Sequence, residues 1–427
     1  MKQGLKDNLA RYGWILTNED FKAPFDFKQE FRYYLKRYLV DILAVFPFLI
    51  ILIALYFYKK FKPKNDSANK MIFGTHPIIS FKLLKGVLKE DYECTVFVFH
   101  DWSKGNFHDG VVAEDIMPKW AVGKDPYLFG SYWAFIWALK NFDIFHLYFD
   151  GGFLERTIWW KLEPIIYQLF DKKVILYPYG ADVWDTFRNT NRLSKLGQMA
   201  FMPRYFSLDF KRIQRTYYWS KYVNLIFGPV NYIDFLPRID VLAFHGHVID
   251  NKEKYDYSFP EIKGKVKIIH YANHGIRKGS HFIKQTFDNL RNERDDFEFE
   301  SYYGLPREIA LKKLDDIHIF IEQITDGFLS YSAVEALLKG KIVLTNLSEN
   351  LIDFYKYLNY NYYENFFDEL PIINVNSSNL KDKITELLNN KENLEVFSKK
   401  SEKFIRKMLN ENEKAYKLLI SHLTNKI

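Results

Sequence analysis

Two series of short apolar runs, each run followed by a helical pattern, constrain this chain more than any other feature. In the first series Met71–Phe73, Thr95–His100, Ile144–Phe149 and Val174–Tyr177 read as strands. Phe81–Leu88, Tyr132–Lys140 and Trp159–Phe170 read as the helices between them. The second series runs Val266–Ile269, Ser280–Arg291, Ile317–Ile321, Ser332–Lys339 and Ile342–Leu344, strand and helix in turn. Gly340 stands where a left-handed residue closes the Ser332–Lys339 helix. Apolar strands alternating with helices predict parallel sheets covered on both faces. The polar stretch from Phe244 to Lys265 separates the series as a hinge would, and 427 residues exceed what one core supports. The expected class is α/β, with two Rossmann-like doubly wound lobes facing a cleft. Such sheets bind ligands outside the carboxyl ends of their strands, so the informative residues should follow strands.

Ahead of the first series, every residue from Ile42 to Tyr58 is apolar or aromatic except Pro47. Arg32, Lys36 and Arg37 precede the run, and Lys59, Lys60, Lys62 and Lys64 follow it. It starts too deep in the chain for a cleaved signal peptide. A spanning helix needs about 20 residues, which are reached by adding Tyr38 to Asp41 and leave Asp41 near the interface. Terminal Tyr and Lys side chains suit a bilayer helix, and the denser lysines after the run favour a cytosolic carboxyl side. Pro47 also permits a re-entrant helix, and a buried core helix is the alternative outside a membrane. A short polar linker, Asn65 to Lys70, follows.

Composition narrows the partners. A net charge of +7 suits an anionic surface or phosphate-bearing substrates, and no arginine-rich segment points to nucleic acid. Cys94 is the only cysteine, which excludes an intrachain disulfide and a thiolate metal site and fits a reducing, cytosolic face.

Two loops of the second series carry the clearest chemistry. His270 to Ser280 follows a strand and enters a helix that Ser280 would cap. Backbone N–H groups at that helix start, with Arg277 and Lys278, suit a diphosphate. The Walker spacing is absent, and a solvated basic turn fits the local sequence equally well. The second loop, Glu322 to Ala336, places Glu335 among Ala333, Val334, Ala336 and Leu337. A carboxylate there can accept the hydroxyls of a ribose, although a glutamate on a helix's polar edge is the commoner arrangement. His100-Asp101 and His108-Asp109 read as solvated loop residues, and His245 and His247 have the spacing of a metal pair but no third ligand stands out. Trp159-Trp160, Tyr217-Tyr218 and the tyrosines from Tyr355 to Tyr363 read as helix packing.

The segment from Asp316 to Gln323, then Asp326-Gly-Phe to Val334-Glu-Ala-Leu-Leu-Lys-Gly-Lys-Ile-Val343, resembles the donor-binding signature of glycosyltransferase family 4. His270 to Gly279 is similar to that family's phosphate loop, and Asp143-Ile-Phe-His146 and Tyr179-Gly-Ala-Asp182 resemble its two amino-terminal motifs. The likeness covers roughly Lys70 to the carboxyl terminus and implies the GT-B fold. It implies that Glu335 binds the nucleotide ribose, and that Lys278 and Arg277 neutralise the leaving diphosphate. His274, Gly279, Asp326 and Gly327 complete the donor site. Asp182, His146 and Lys278 form the catalytic set, and Gly180 and Tyr179 lie on the acceptor side. Two positions depart from the pattern: Gly327 stands where the family has a glutamate, with Asp326 beside it, and Tyr179 stands where histidine is frequent.

The resulting expectation is a retaining hexosyl- or N-acetylhexosaminyltransferase that needs no metal or cofactor. Its donor is a UDP- or GDP-linked nucleotide sugar, its acceptor a lipid-linked saccharide or glycan, and its product an envelope polysaccharide. Residues 1–64 form an anchor with a helix at about 39–58, 65–245 an acceptor lobe, 246–395 a donor lobe and 396–427 a helix crossing back. The lobes are expected on the cytosolic face of the inner membrane, with no nucleic-acid partner. A sugar-nucleotide epimerase and a non-catalytic scaffold of the same fold remain the rival readings.

Overall fold

The computed structural model describes residues 27–61, 70–100, 110–201, 206–243, 247–249, 252, 255–358 and 369–424. Residues 65–69 of the linker, Asp101, His108, Asp109, His245 and the tyrosines from 360 to 363 lie outside the described residues. The chain divides into two compact units. One comprises Ala23–Asp185, Ser207–Asp250 and Asn412–Ile427, and the other includes Thr186–Phe206 and Asn251–Glu411.

The first unit is built on a seven-stranded parallel sheet. Its strands are β1 (Lys70–Thr75), β2 (Glu93–Val98), β3 (Val111–Val112), β4 (Ile144–Leu147), β5 (Lys173–Leu176), β6 (Leu225–Pro229) and β7 (Val241–Ala243). They lie in the order β3-β2-β1-β4-β5-β6-β7, so the order reverses between β1 and β4. Successive side chains alternate between faces. Ile72, Phe145, Leu147 and Val174 enter a core with Phe135 and Tyr167. Met71, Phe73, Ile144 and Ile175 enter the opposite core with Phe81 and Leu84.

The second unit carries β8 (Val266–Ala272), β9 (Phe297–Tyr303), β10 (Ile319–Gln323), β11 (Ile342–Thr345) and β12 (Ile372–Asn374). This parallel sheet has the order β12-β11-β10-β8-β9, reversing between β8 and β10. The helix Tyr331–Leu338 ends as the sequence predicts. Gly340 N–H donates to Leu337 O at 2.9 Å and Lys341 N–H to Ala336 O at 2.8 Å, the paired bonds of a Schellman cap.

Two local expectations change, and the carboxyl-terminal helix forms as expected. The helix expected over Trp159–Phe170 spans only Glu163–Leu169, because Pro164 occupies its first turn. Trp159 and Trp160 precede it in turns and pack against the core as expected. Ser280 is the first residue of its helix rather than the cap, which is Gly279. The carboxyl-terminal pattern forms one long helix, Leu394–Leu423, whose Tyr416 and Ile420 are buried in the first unit's core.

The apolar segment forms the helix Phe27–Phe61, long and apolar enough to cross a membrane by length and composition. Asp41, expected near a bilayer interface, is instead fully buried in protein. Its Oδ1 accepts from Arg37 Nε at 2.8 Å and Tyr132 OH at 2.7 Å, and its Oδ2 from Ile158 N–H at 2.9 Å. Arg37 also donates to Tyr127 O at 2.7 Å. Removing one member of a buried pair strands the other charge, at a cost of about 3–5 kcal/mol. Asp41→Ala should therefore lower the unfolding free energy of the first unit by that much in a denaturant titration, whereas Arg37→Met with Asp41→Leu should cost less.

Candidate functional site

In the second unit, the loops leaving β8 and β10 sit at the reversal of strand order, where a doubly wound sheet binds its ligand. His270, within β8, is fully buried and ties this strand to β10 and to the helix that starts at Ser280. Its Nδ1 lies 2.8 Å from Ile321 O and its Nε2 2.7 Å from Ser280 Oγ. Burial lowers its pKa to about 4, so the neutral ring donates to the carbonyl and accepts the serine proton. That bond explains why Ser280 does not cap its helix.

The turn Gly275–Lys278 follows, with Gly279 in the left-handed region. Both expected cations point to buried carboxylates: Arg277 Nε donates to Asp326 Oδ1 at 2.9 Å, and Lys278 Nζ to Glu322 Oε1 at 3.4 Å. Arg277 and Lys278 keep partial exposure while Glu322 is fully buried. His274 precedes this turn. Its pKa is lowered by burial and by Arg277 and Lys278, with Asp326 opposing.

Buried side-chain oxygens hold the second loop. Gln323 Oε1 accepts the N–H groups of Thr325 and Asp326, both at 2.6 Å. Glu322 Oε1 takes Ser330 N–H at 3.1 Å and its Oε2 the Thr345 hydroxyl at 3.0 Å. Gly327 has φ +84°, and a Cβ there would lie 2.5 Å from Asn191 Nδ2. The left-handed backbone at this turn favours glycine, and the Asp326 carboxylate is engaged by Arg277.

Glu335 lies on the buried side of its helix, not on a polar edge. Its Oε1 accepts from Arg307 Nε at 2.9 Å and Tyr255 OH at 3.2 Å. Burial raises its pKa, and Arg307 opposes that rise.

The first unit has its own cluster at the reversal between β1 and β4. His76 Nε2 lies 3.2 Å from Glu155 Oε2 and 3.4 Å from Asp150 Oδ2. Burial disfavours the charged ring, but Asp150 and Glu155 outweigh it and raise the pKa to about 9. Burial likewise opposes ionisation of Glu155, yet His76, Arg215 and Arg156 bring it to about 2. The three ligand atoms lie within 4.8 Å of one another, a spacing a cation tolerates. Arg215 and Arg156 beside Glu155 favour the ion-pair reading. The sequence reading overlooked this cluster, along with Glu322, Tyr255 and Arg307; Asp150-Gly-Gly directly after a buried strand was the available signal.

The amino-terminal expectations fare unevenly. Asp182 is buried and closes its own turn, accepting Gly180 N–H at 2.8 Å, Tyr179 N–H at 3.1 Å and Phe149 N–H at 3.1 Å. Burial and neighbouring Asp150 raise its pKa to about 7. Gly180 has φ +126°, with the Trp184 ring 2.7 Å from any added Cβ. Tyr179 packs edge-on against Tyr148. His146 is corrected. It sits on β4 in the core, stacked on Phe73 and edge-on to Phe81, and burial lowers its pKa to about 3. Its ring packs in the core. His247 is buried too, with its pKa lowered to about 3.

The sequence matches no protein-family model and no curated protein. Its fold is that of solved GT-B structures. Sucrose-phosphate synthase from Thermosynechococcus elongatus aligns at a TM-score of 0.52 and 10% identity, over 84% of this chain and 98% of that one. The catalytic domain of starch synthase IV from Arabidopsis thaliana, bound to ADP and acarbose, aligns at 0.42 and 10% identity, over 82% and 100%. A spinosyn rhamnosyltransferase aligns at 0.42 and 10% identity, over 82% and 99%.

Two outcomes follow from this geometry. Because its pKa is raised, His76 stabilises the first unit fully below its ordinary value of about 6.5, and loses that contribution as pH rises through about 9. NMR titration of the ring should show protonation persisting to about that pH, and Glu155→Gln should bring the midpoint down. Gly327→Glu should destabilise the second unit by about 1–2 kcal/mol for the left-handed backbone alone, measured by denaturant unfolding.

Proposed function

We propose that this chain is a membrane-attached glycosyltransferase that moves a sugar from a nucleoside diphosphate sugar to a lipid-linked saccharide. One observation carries the reading: Arg277 and Lys278, partly exposed, lie in the turn at the β8/β10 reversal and are aimed by the buried carboxylates of Asp326 and Glu322. Cleaving a sugar–diphosphate bond develops negative charge on the leaving phosphate. Cations fixed beforehand stabilise that charge without reorganising during the reaction. The family resemblance supports the same use of this turn, and with it retention of configuration and a reaction that needs no resident metal.

Glu335 takes the ribose in this reading, held against Arg307 and Tyr255 so that only part of its carboxylate meets the hydroxyls. Partial exposure and charge make His76, with Asp150 and Glu155, the first unit's candidate for the acceptor hydroxyl. Asp182 serves by shaping the Tyr179-Gly180 turn. UDP- or GDP-linked hexose or N-acetylhexosamine is the donor class, and envelope glycan synthesis on the cytosolic face of the inner membrane is the setting.

The test is a thermal-shift and donor-hydrolysis screen of detergent-purified protein against UDP, GDP and their common sugars. One nucleotide should stabilise the protein, and Glu335→Gln should weaken that effect. Lys278→Ala should lower turnover about 100-fold or more, the usual cost of losing one donor to a developing anion. No stabilisation by any nucleotide would overturn the reading and favour a non-catalytic scaffold.

A further inference from the structure

The helix Phe27–Phe61 is held against the first unit along most of its length. Arg37, Asp41, Phe48 and Leu52 form its buried stripe. The Arg37–Asp41 pair is fixed by Tyr127, Tyr132 and Ile158, and Phe48 packs edge-on against Tyr132 with ring centroids 5.0 Å apart. Near the other end Tyr56 meets Phe170 edge-on at 6.0 Å, and Lys59 Nζ donates to Phe170 O. From Arg37 to Lys59 this docked stripe is about 33 Å long at the usual rise per residue. That matches the hydrocarbon thickness of a whole bilayer, about 30 Å.

A helix docked over that length cannot cross alone. Perpendicular insertion would carry the turns around Tyr127, Ile158 and Phe170 to membrane depth, where lipid-exposed irregular backbone is not tolerated. Yet the outward flank is strongly apolar: Leu43, Phe46, Ile50 and Ile53 are all more than half exposed. An open apolar groove runs along each side of the helix. One, of about 450 Å³, lies between Leu49, Ile53 and Phe57 of the helix and Leu162, Ile165 and Leu169. The other, of about 320 Å³, lies between Leu43, Pro47 and Ile51 and the residues Trp120, Trp133 and Ile136. Beside these grooves Lys124 sits 5.0 Å from the Trp120 ring and Lys161 5.4 Å from the Trp160 ring. Paired tryptophan and lysine side chains favour the boundary between hydrocarbon and headgroups, and the cations complement anionic lipid.

We infer that this helix is a monotopic insert: with the two grooves beside it, it seats the first unit in one leaflet of a phospholipid bilayer, lipid chains filling the grooves, without crossing. The inference rests on membrane attachment and not on sugar transfer, so either can fail alone.

The test uses the full chain with Cys94→Ala and a single cysteine introduced by Lys28→Cys or Lys60→Cys, one at each end of the helix. Sealed inside-out and right-side-out vesicles are treated with a membrane-impermeant maleimide. Both cysteines should label from the same face; labelling from opposite faces would overturn the proposal. Purified protein in vesicles of phosphatidylcholine and phosphatidylglycerol brominated in mid-chain should lose tryptophan fluorescence. Replacing Trp120, Trp133 and Trp159 by Phe should abolish most of that loss. Unquenched fluorescence, or a soluble dimer that ignores vesicles, would show that another surface covers this face.

Discussion

Buried side-chain oxygens that accept loop N–H groups are the interaction on which both candidate sites depend. A parallel sheet leaves its carboxyl edge to loops whose backbone donors find no ladder partner, and each unsatisfied donor is costly once buried. Here the partners are supplied from within the fold. Gln323 takes two N–H groups of the turn that ends at Gly327, and Glu322 takes that of Ser330. In the first unit Glu163 takes Phe153 N–H at 2.8 Å and Leu154 N–H at 2.6 Å, while Asp182 takes three. Burial raises the pKa of Glu163 to about 8, and those bonds oppose the rise. The loops are thus shaped by groups that never need to meet a ligand.

This arrangement changes how the charges of the second unit act. A free arginine or lysine on a turn samples many rotamers, and an anion must order it on binding. Arg277 and Lys278 are already aimed, because Asp326 and Glu322 hold them. The carboxylates also temper the positive field, so an incoming anion must gain more from its new contacts than the existing pairs already supply. A diphosphate, with several oxygens to share, meets that condition better than a monovalent anion. Glu335 follows the same logic, since Arg307 keeps its carboxylate from being an isolated buried charge.

What was legible in the sequence follows from which signals are local. Strands buried on both faces read as apolar runs, so β1, β4, β8, β10 and β11 were visible in single stretches. Two-residue β3 and half-exposed β9 carry no such run. Pro164 marked the true helix start, but the apolar residues before it extended the helical pattern falsely. The loops after β8 and β10 were visible because their residues are neighbours in the chain. The His76–Glu155 contact joins positions 79 apart, and Arg307 reaches Glu335 from another helix. His146 shows the converse error: a histidine inside a motif looks functional until the alternation of β4 turns it into the core.

Arg37 and Asp41 bear on the amino-terminal helix in the same way. On hydropathy alone they read as interfacial, Asp41 directly before the apolar run and Arg37 about one turn further out. A spanning helix would leave such a pair to water and headgroups, free of the protein. Here the pair is enclosed, and the backbone around it is satisfied by it: Asp41 accepts Ile158 N–H, and Arg37 donates to Tyr127 O. A charge pair this deeply integrated marks a folded interface, because breaking it to release the helix would strand two charges and two backbone groups together. The helix therefore belongs to the first unit as much as its own strands do, and its apolar flank is a surface of that unit.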